Sequence, residues 1–272
     1  MLGKLIKHEF KATWMIMTLI CAVLLGTGLV GGFTLRSFVT LDDITDIQTL
    51  FLSFASMFFI ILLVSMALLS TVYLVVHYYR SLYTSQGYLS FTLPASITQV
   101  VSSRMIVACI WTIVSALFLA ICISLIVIIG SAQYFPYVLD FFNEAVSELM
   151  EEVGSATFYR LLIQYLFIVI LGLISRIMLY FFSISVGQLW DKHKILGAVI
   201  AYFATTFVLG IVSTFISVGY YGALSAFSYS DYYDLNRMLS TYMLRYFIYS
   251  LVLIVLFYVG SIVISNKKLN LD

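Results

Sequence analysis

Of the 272 residues, 62% are hydrophobic and only 10% are charged, with 14 Lys and Arg against 13 Asp and Glu. An ordinary soluble domain carries about 25% charged residues, so this chain, with a mean hydropathy of +1.07, cannot cover itself with polar surface and must be covered by lipid. The net charge of +1 and the lack of any basic block give nucleic acid nothing to bind.

At the start of the chain Leu2, Leu5, Ile6 and Phe10 recur at helical spacing, with Lys4, Lys7, His8 and Lys11 on the other side. The pattern predicts a short amphipathic helix over residues 1–13, lying on a leaflet with its lysines near anionic headgroups. A plain basic flank that orients the chain is the alternative reading. Six apolar runs follow, at 14–33, 50–77, 105–132, 161–187, 195–219 and 246–265. Crossing the hydrocarbon core takes about 20 apolar residues. The two longest, 50–77 and 105–132, exceed that by about eight residues, which implies tilt or kinking. They are apolar all round, unlike the alternating strands of a membrane barrel. No A-x-A-like cleavage site follows the first run, so it is expected to remain as a span. Cys21, Cys109 and Cys122 all fall inside runs, which implies small core residues rather than an external disulfide framework. The expected fold is one all-α membrane domain over residues 1–272, with six transmembrane helices and no soluble domain or internal repeat.

The loops set the orientation. Six spans put both termini on one side, together with Lys4, Lys7, Lys11, Arg80, Arg104, Lys192, Lys194, Lys267 and Lys268. Only Arg36, Arg160, Arg237 and Arg245 fall on the other side, so the termini are expected to be cytoplasmic. On that reading residues 36–49 form a short acidic external loop. Residues 78–103 form the longest cytoplasmic loop, punctuated by Gly87 and Pro94. Tyr88, Leu89, Phe91 and Leu93 are apolar although outside the hydrocarbon core, which suggests a partner surface or a re-entrant turn packed under the bundle. Residues 140–160 are helical by pattern. Phe141, Phe142, Ala145, Val146, Leu149 and Met150 form an apolar stripe, and Glu144, Glu148 and Glu151 line another face as a solvated surface or a gatherer of cations. The short basic loop 188–194 carries Trp190 where an interfacial aromatic belongs, beside Lys192, His193 and Lys194. The last external loop, 220–245, is rich in tyrosine and reads as an interfacial aromatic belt.

Within the spans one charge stands out. Arg176 lies near the middle of the fourth run, and no run contains an Asp or Glu to pair with it. Its charge must be met by backbone carbonyls, by Gln164 or serine hydroxyls, by water, or by an anionic cargo group. It is therefore either a pathway residue or one that ties helices together. Other chemistry has few residues to use. Gly3-Lys4 lacks the rest of a phosphate loop. His8, His77 and His193 have no zinc-ligand spacing, so no metal site is expected. No serine sits in a G-x-S-x-G elbow.

Four segments together resemble the membrane-spanning permease subunits of ATP-binding-cassette (ABC) transporters of the type-2 exporter family. They are KLIKHEFKAT (4–13), GYLSFTLPAS (87–96), VGQLWDKHKILGAVIAYF (186–203) and NKKLNL (266–271). The resemblance spans the whole length and the six-span layout. It implies a cell-membrane protein that pairs with a second permease subunit, identical or a sister chain, and docks on separate ATPase subunits. Those subunits would hold ATP and magnesium, and this chain would carry no cofactor. It implies further that residues 82–96 couple to the ATPase through Leu82, Tyr83, Tyr88, Leu89, Phe91, Leu93 and Pro94. Trp190, Lys192, His193 and Lys194 would add a second cytoplasmic contact. The cargo expected is hydrophobic or peptide-like. An immunity or sensing module against membrane-active peptides is the main alternative, and a membrane-embedded enzyme is the third.

Overall fold

A chain in lipid must satisfy its backbone hydrogen bonds internally, and a helix does this within one segment. Nothing in the spans interrupts that solution. The two prolines, Pro94 and Pro136, lie outside every apolar run. The computed structural model describes residues 1–39, 46–84, 96–132, 134–190, 192–226 and 232–268. They form seven helices: α1 (Leu2–Val39), α2 (Asp46–Tyr83), α3 (Ile97–Gly130), α4 (Phe135–Val153), α5 (Ser155–Gly187), α6 (Lys194–Ala226) and α7 (Tyr232–Lys268). All but α4 are long and apolar enough to cross a membrane, six in number as the sequence predicts. The chain is an all-α multi-pass membrane protein.

The helices overrun the apolar runs, and three boundaries differ from expectation. Residues 1–13 are not a separate helix but the first turns of α1, which runs unbroken from Leu2 to Val39. The amphipathic division within them holds: Leu2, Leu5, Ile6 and Phe10 are half-buried, while Lys4, Lys7, His8 and Lys11 are exposed. The loop expected over 78–103 is shorter, because α2 continues to Tyr83 and α3 begins at Ile97. The helical stretch expected over 140–160 is two helices. α4 starts earlier, with Pro136 in its first turn. It parts from α5 at Gly154, whose φ of 84° is left-handed backbone that glycine adopts without steric cost.

The internal contacts divide the chain into two compact units, residues 1–77 with 106–149 and residues 78–105 with 150–272. In the first, α1 buries Thr13, Met17, Ile20, Cys21 and Leu24, one face at spacings of three and four. The same face continues into Gly28 and Gly32, a G-x-x-x-G pair that lets helix backbones approach closely. A Cβ on Gly28 would stand 2.7 Å from Cys122 Sγ and 3.2 Å from the Cys122 backbone, and one on Gly32 would stand 2.8 Å from Ile129. The Cys122 thiol donates to the Leu24 carbonyl at 3.0 Å. Near the start of α1 the Trp111 indole N–H donates to Thr13 Oγ1 at 2.9 Å. Phe10 stacks on the Trp111 ring at 4.9 Å. Glu9 meets His77 Nε2 at 2.7 Å. The first turns of α1 are thus packed on α2 and α3.

In the second unit α5 is the central helix, packed against both α6 and α7. Ile177, Met178, Leu179, Phe181 and Ile184 of α5 are buried. The Phe181 ring stacks on Tyr78 at 4.0 Å, and Phe182 meets Phe257 at 5.3 Å. Gly187 lies against the backbone of Ala198, where a Cβ would stand 2.5 Å from the Ala198 nitrogen. This close approach sets the tight turn between α5 and α6.

Candidate functional site

Polar side chains converge in the second unit at one end of four helices. Tyr83 closes α2, Arg104 lies in the second turn of α3, Ser185 stands in the last turn of α5, and Ser265 is near the end of α7. The Tyr83 hydroxyl shares hydrogen bonds of 3.0 Å with both Ser185 Oγ and Ser265 Oγ. Ser185 and Ser265 are at most 1% exposed. Ser185 also donates to the Phe181 carbonyl at 3.0 Å. Tyr78, fully buried, brings its hydroxyl beside Tyr83, Ser185 and Arg104. Two residues before Arg104, Ser102 shares a 2.7 Å hydrogen bond with the Tyr258 hydroxyl of α7. A single phenol therefore fastens α2 to α5 and α7, and a buried arginine stands in the same cluster. Buried polar groups of this kind are stabilising only when satisfied, and they then specify one arrangement of the helices.

Of the sequence-predicted residues, Tyr83 belongs to this cluster and Leu82 precedes it on the same helix. Leu82 is 1% exposed, and the Tyr83 hydroxyl is engaged inside the chain. Neither is presented outward as a partner-contacting loop would present it, because α2 continues through both. Tyr88, Leu89, Phe91, Leu93 and Pro94 lie outside the described residues. Trp190 is half-exposed, its indole lying over Gly197, where a Cβ would meet the ring at 2.8 Å. Lys192, His193 and Lys194 are exposed. They line an open recess of about 640 Å³ with Tyr79, Ile195, Leu196 and Val199.

Arg176 and Gln164 are not brought together. Both stand on the continuous helix α5, 12 residues and about 18 Å apart along its axis, so the amide cannot meet that charge within the chain. The Gln164 carbonyl oxygen is buried and has no hydrogen-bond partner among the described residues. Arg176 is exposed on the chain surface. Its polar neighbour is the Tyr180 hydroxyl, which also has Tyr202 of α6 beside it.

Two features escaped the sequence reading. Gly28 and Gly32 carried a readable G-x-x-x-G signal. The Tyr83 lock carried none, since its partners are 102 and 182 residues away and are ordinary serines. Comparison with protein-family models, curated proteins and solved structures gave no match.

Proposed function

We propose that the chain is the membrane-spanning subunit of an ATP-binding-cassette exporter of the type-2 family, seated in the cell membrane with both termini cytoplasmic. Two such subunits, identical or sister chains, flank a pathway for a hydrophobic or peptide-like cargo. Separate ATPase subunits dock below them and hold the ATP and magnesium. The excess of lysine and arginine on the loops of one side supports that orientation.

The observation that carries the mechanism is the lock made by Tyr83, Ser185 and Ser265. Tyr83 immediately precedes the segment that holds Tyr88, Leu89, Phe91, Leu93 and Pro94, and Ser185 immediately precedes the turn that holds Trp190, Lys192, His193 and Lys194. These are the two segments that the resemblance assigns to the ATPase. The contact proper belongs to residues beyond Tyr83, while Tyr83 itself passes the motion on. A push on either segment enters α2, α5 and α7 together instead of bending one free helix end, and closure of the ATPase pair thereby rocks the spans.

The test is co-expression with the partner ATPase. Phe91→Asp combined with Leu93→Asp is expected to abolish co-purification while the protein still inserts and elutes as one species. Unchanged co-purification removes the coupling role of the segment. ATP hydrolysis by the reconstituted complex separates the exporter, which is stimulated by cargo and moves it, from an immunity or sensing module that binds without turnover.

A further inference from the structure

Arg176 lies midway along its helix. Fourteen residues separate it from Trp190 and 16 from Arg160, or about 21 Å and 24 Å of helix. Neither polar end is within reach of its side chain, so snorkelling does not relieve the charge. Its own unit does not enclose it, because the residue is exposed. Helices α3, α5 and α6 contain no carboxylate, and those on the other spanning helices are Glu9, Asp46 and Asp234, all near helix starts. A second copy of the chain would therefore bring no counter-charge to this depth either.

What surrounds Arg176 is a pair of neutral phenols, which can accept from the guanidinium and still donate to an anion. Tyr180, one turn further on, has both Arg176 and Tyr202 beside its hydroxyl. The Tyr180 and Tyr202 rings stack at 5.3 Å with 22° between their planes. In the other direction an arginine on a helix leans back over the preceding turn, and that turn is Gly172. A Cβ on Gly172 would meet nothing within 4 Å. The helix surface one turn before Arg176 is thus bare at Gly172, and phenols stand one turn beyond it, at a depth where hydrocarbon would otherwise face the charge. A guanidinium fork matches the two oxygens of a carboxylate or phosphate, and the bond is strongest where water is scarce.

We infer that Arg176, Tyr180 and Tyr202 form a binding site for the acidic group, carboxylate or phosphate, of an amphiphile that enters sideways from the bilayer with its chain in the hydrocarbon. As a cargo site it rests on the exporter reading; as a binding site it does not.

The full chain in phosphatidylcholine nanodiscs, with no ATPase present, tests it. The probe is a diazirine-bearing fatty acid whose adducts are mapped by mass spectrometry. Labelling is expected on α5 and α6 around Gly172 and Tyr202. Dodecyl phosphate should reduce it at least fivefold, whereas dodecanol and dodecyltrimethylammonium should not. Arg176→Gln should lower it at least fivefold, and Gly172→Leu, which fills the notch and leaves the charge, should do the same. Equal competition by dodecanol, or labelling unchanged in both variants, overturns the site. Competition by inorganic phosphate as strong as by dodecyl phosphate overturns the amphiphile and points to a soluble anion. Should Arg176→Gln fail to fold, the wild-type competition series and Gly172→Leu still decide. Loss of ATPase co-purification in the Phe91 and Leu93 variant leaves this result untouched, so the two readings fail separately.

Discussion

Tyr83→Phe removes one oxygen and leaves the ring, and so isolates the lock from the packing around it. Two hydrogen bonds of 3.0 Å are lost. Ser185 keeps its bond to the Phe181 carbonyl. Ser265, 1% exposed, keeps no other hydrogen bond among the described residues, so its hydroxyl is stranded. A net hydrogen bond contributes about 0.5–1.5 kcal/mol, and a stranded buried group costs about 1–3 kcal/mol. Side-chain bonds between membrane helices average about 0.6 kcal/mol, with a maximum of about 1.7. The lower scale governs here, because the unfolded reference state also finds partners in lipid. The expected loss is about 1–3 kcal/mol for the variant, and each kcal/mol lowers Tm by roughly 2–4 °C in chains of this size class. The assay is thermal unfolding in detergent, followed by the elution of the folded species. Ser265→Ala should cost less, since it strands nothing on Ser185. In a double-mutant cycle the two substitutions should couple by about 1 kcal/mol. Tyr159→Phe, at a half-exposed ring on α5, is the control and should stay within about 0.5 kcal/mol. If Tyr83→Phe matches Tyr159→Phe, or shows no coupling to Ser265→Ala, the hydroxyl is not a fastening and the proposed route into three spans fails with it.

Two further outcomes follow from the first unit. Gly28→Ala places a methyl 2.7 Å from Cys122 Sγ and 3.2 Å from the Cys122 backbone, and overpacking of this kind costs about 1–3 kcal/mol. Gly26→Ala, two residues away with nothing within 4 Å, should instead be neutral or stabilising by about 0.5–1 kcal/mol; the same melting assay reads both, and equal effects would mean that the α1–α3 approach is not tight. His77→Phe leaves the Glu9 carboxylate, 13% exposed, without its 2.7 Å partner, and should cost about 1.5–3 kcal/mol. The double variant Glu9→Leu with His77→Phe should recover much of that loss, because an apolar pair buries no charge.

What could be read early was what depends on composition and period. Sustained apolar runs without proline specify spanning helices, and the count of six followed from length alone. Helix ends were harder. At residues 78–83 the polar sequence HYYRSLY, counted from His77, looks like loop. Yet Tyr78 and Leu82 lie one turn apart on a buried face, with the Tyr78 ring stacked on Phe181 of α5, and burial keeps the helix going where local polarity would end it. The first 13 residues were misread for the same reason. Their amphipathic face was legible, but that face lies on Trp111 and His77 of this chain, and nothing local to residues 1–13 announces those partners.

The candidate site divides along the same line. Arg176 was visible because a charge in hydrocarbon is costly wherever it stands, and no partner is needed to notice it. The Tyr83 lock was invisible because serine and tyrosine are ordinary near membrane interfaces, and only the meeting of α2, α5 and α7 makes these three distinctive. The two sites therefore ask for opposite things of their surroundings. The lock is closed: its donors and acceptors answer one another within the chain, and it is suited to carrying force. The Arg176 notch is open: its described neighbours are neutral phenols with no carboxylate among them, and it faces outward where Gly172 leaves space. A guanidinium without a carboxylate at mid-membrane is stable only while something supplies the negative charge. The proposed exporter would separate these tasks in the same way, with a rigid joint beside the segments assigned to the ATPase and a charged group without a carboxylate where cargo would pass. If Arg176→Gln raised Tm and left amphiphile labelling unchanged, the notch would be a cost without an occupant and this division of labour would not hold.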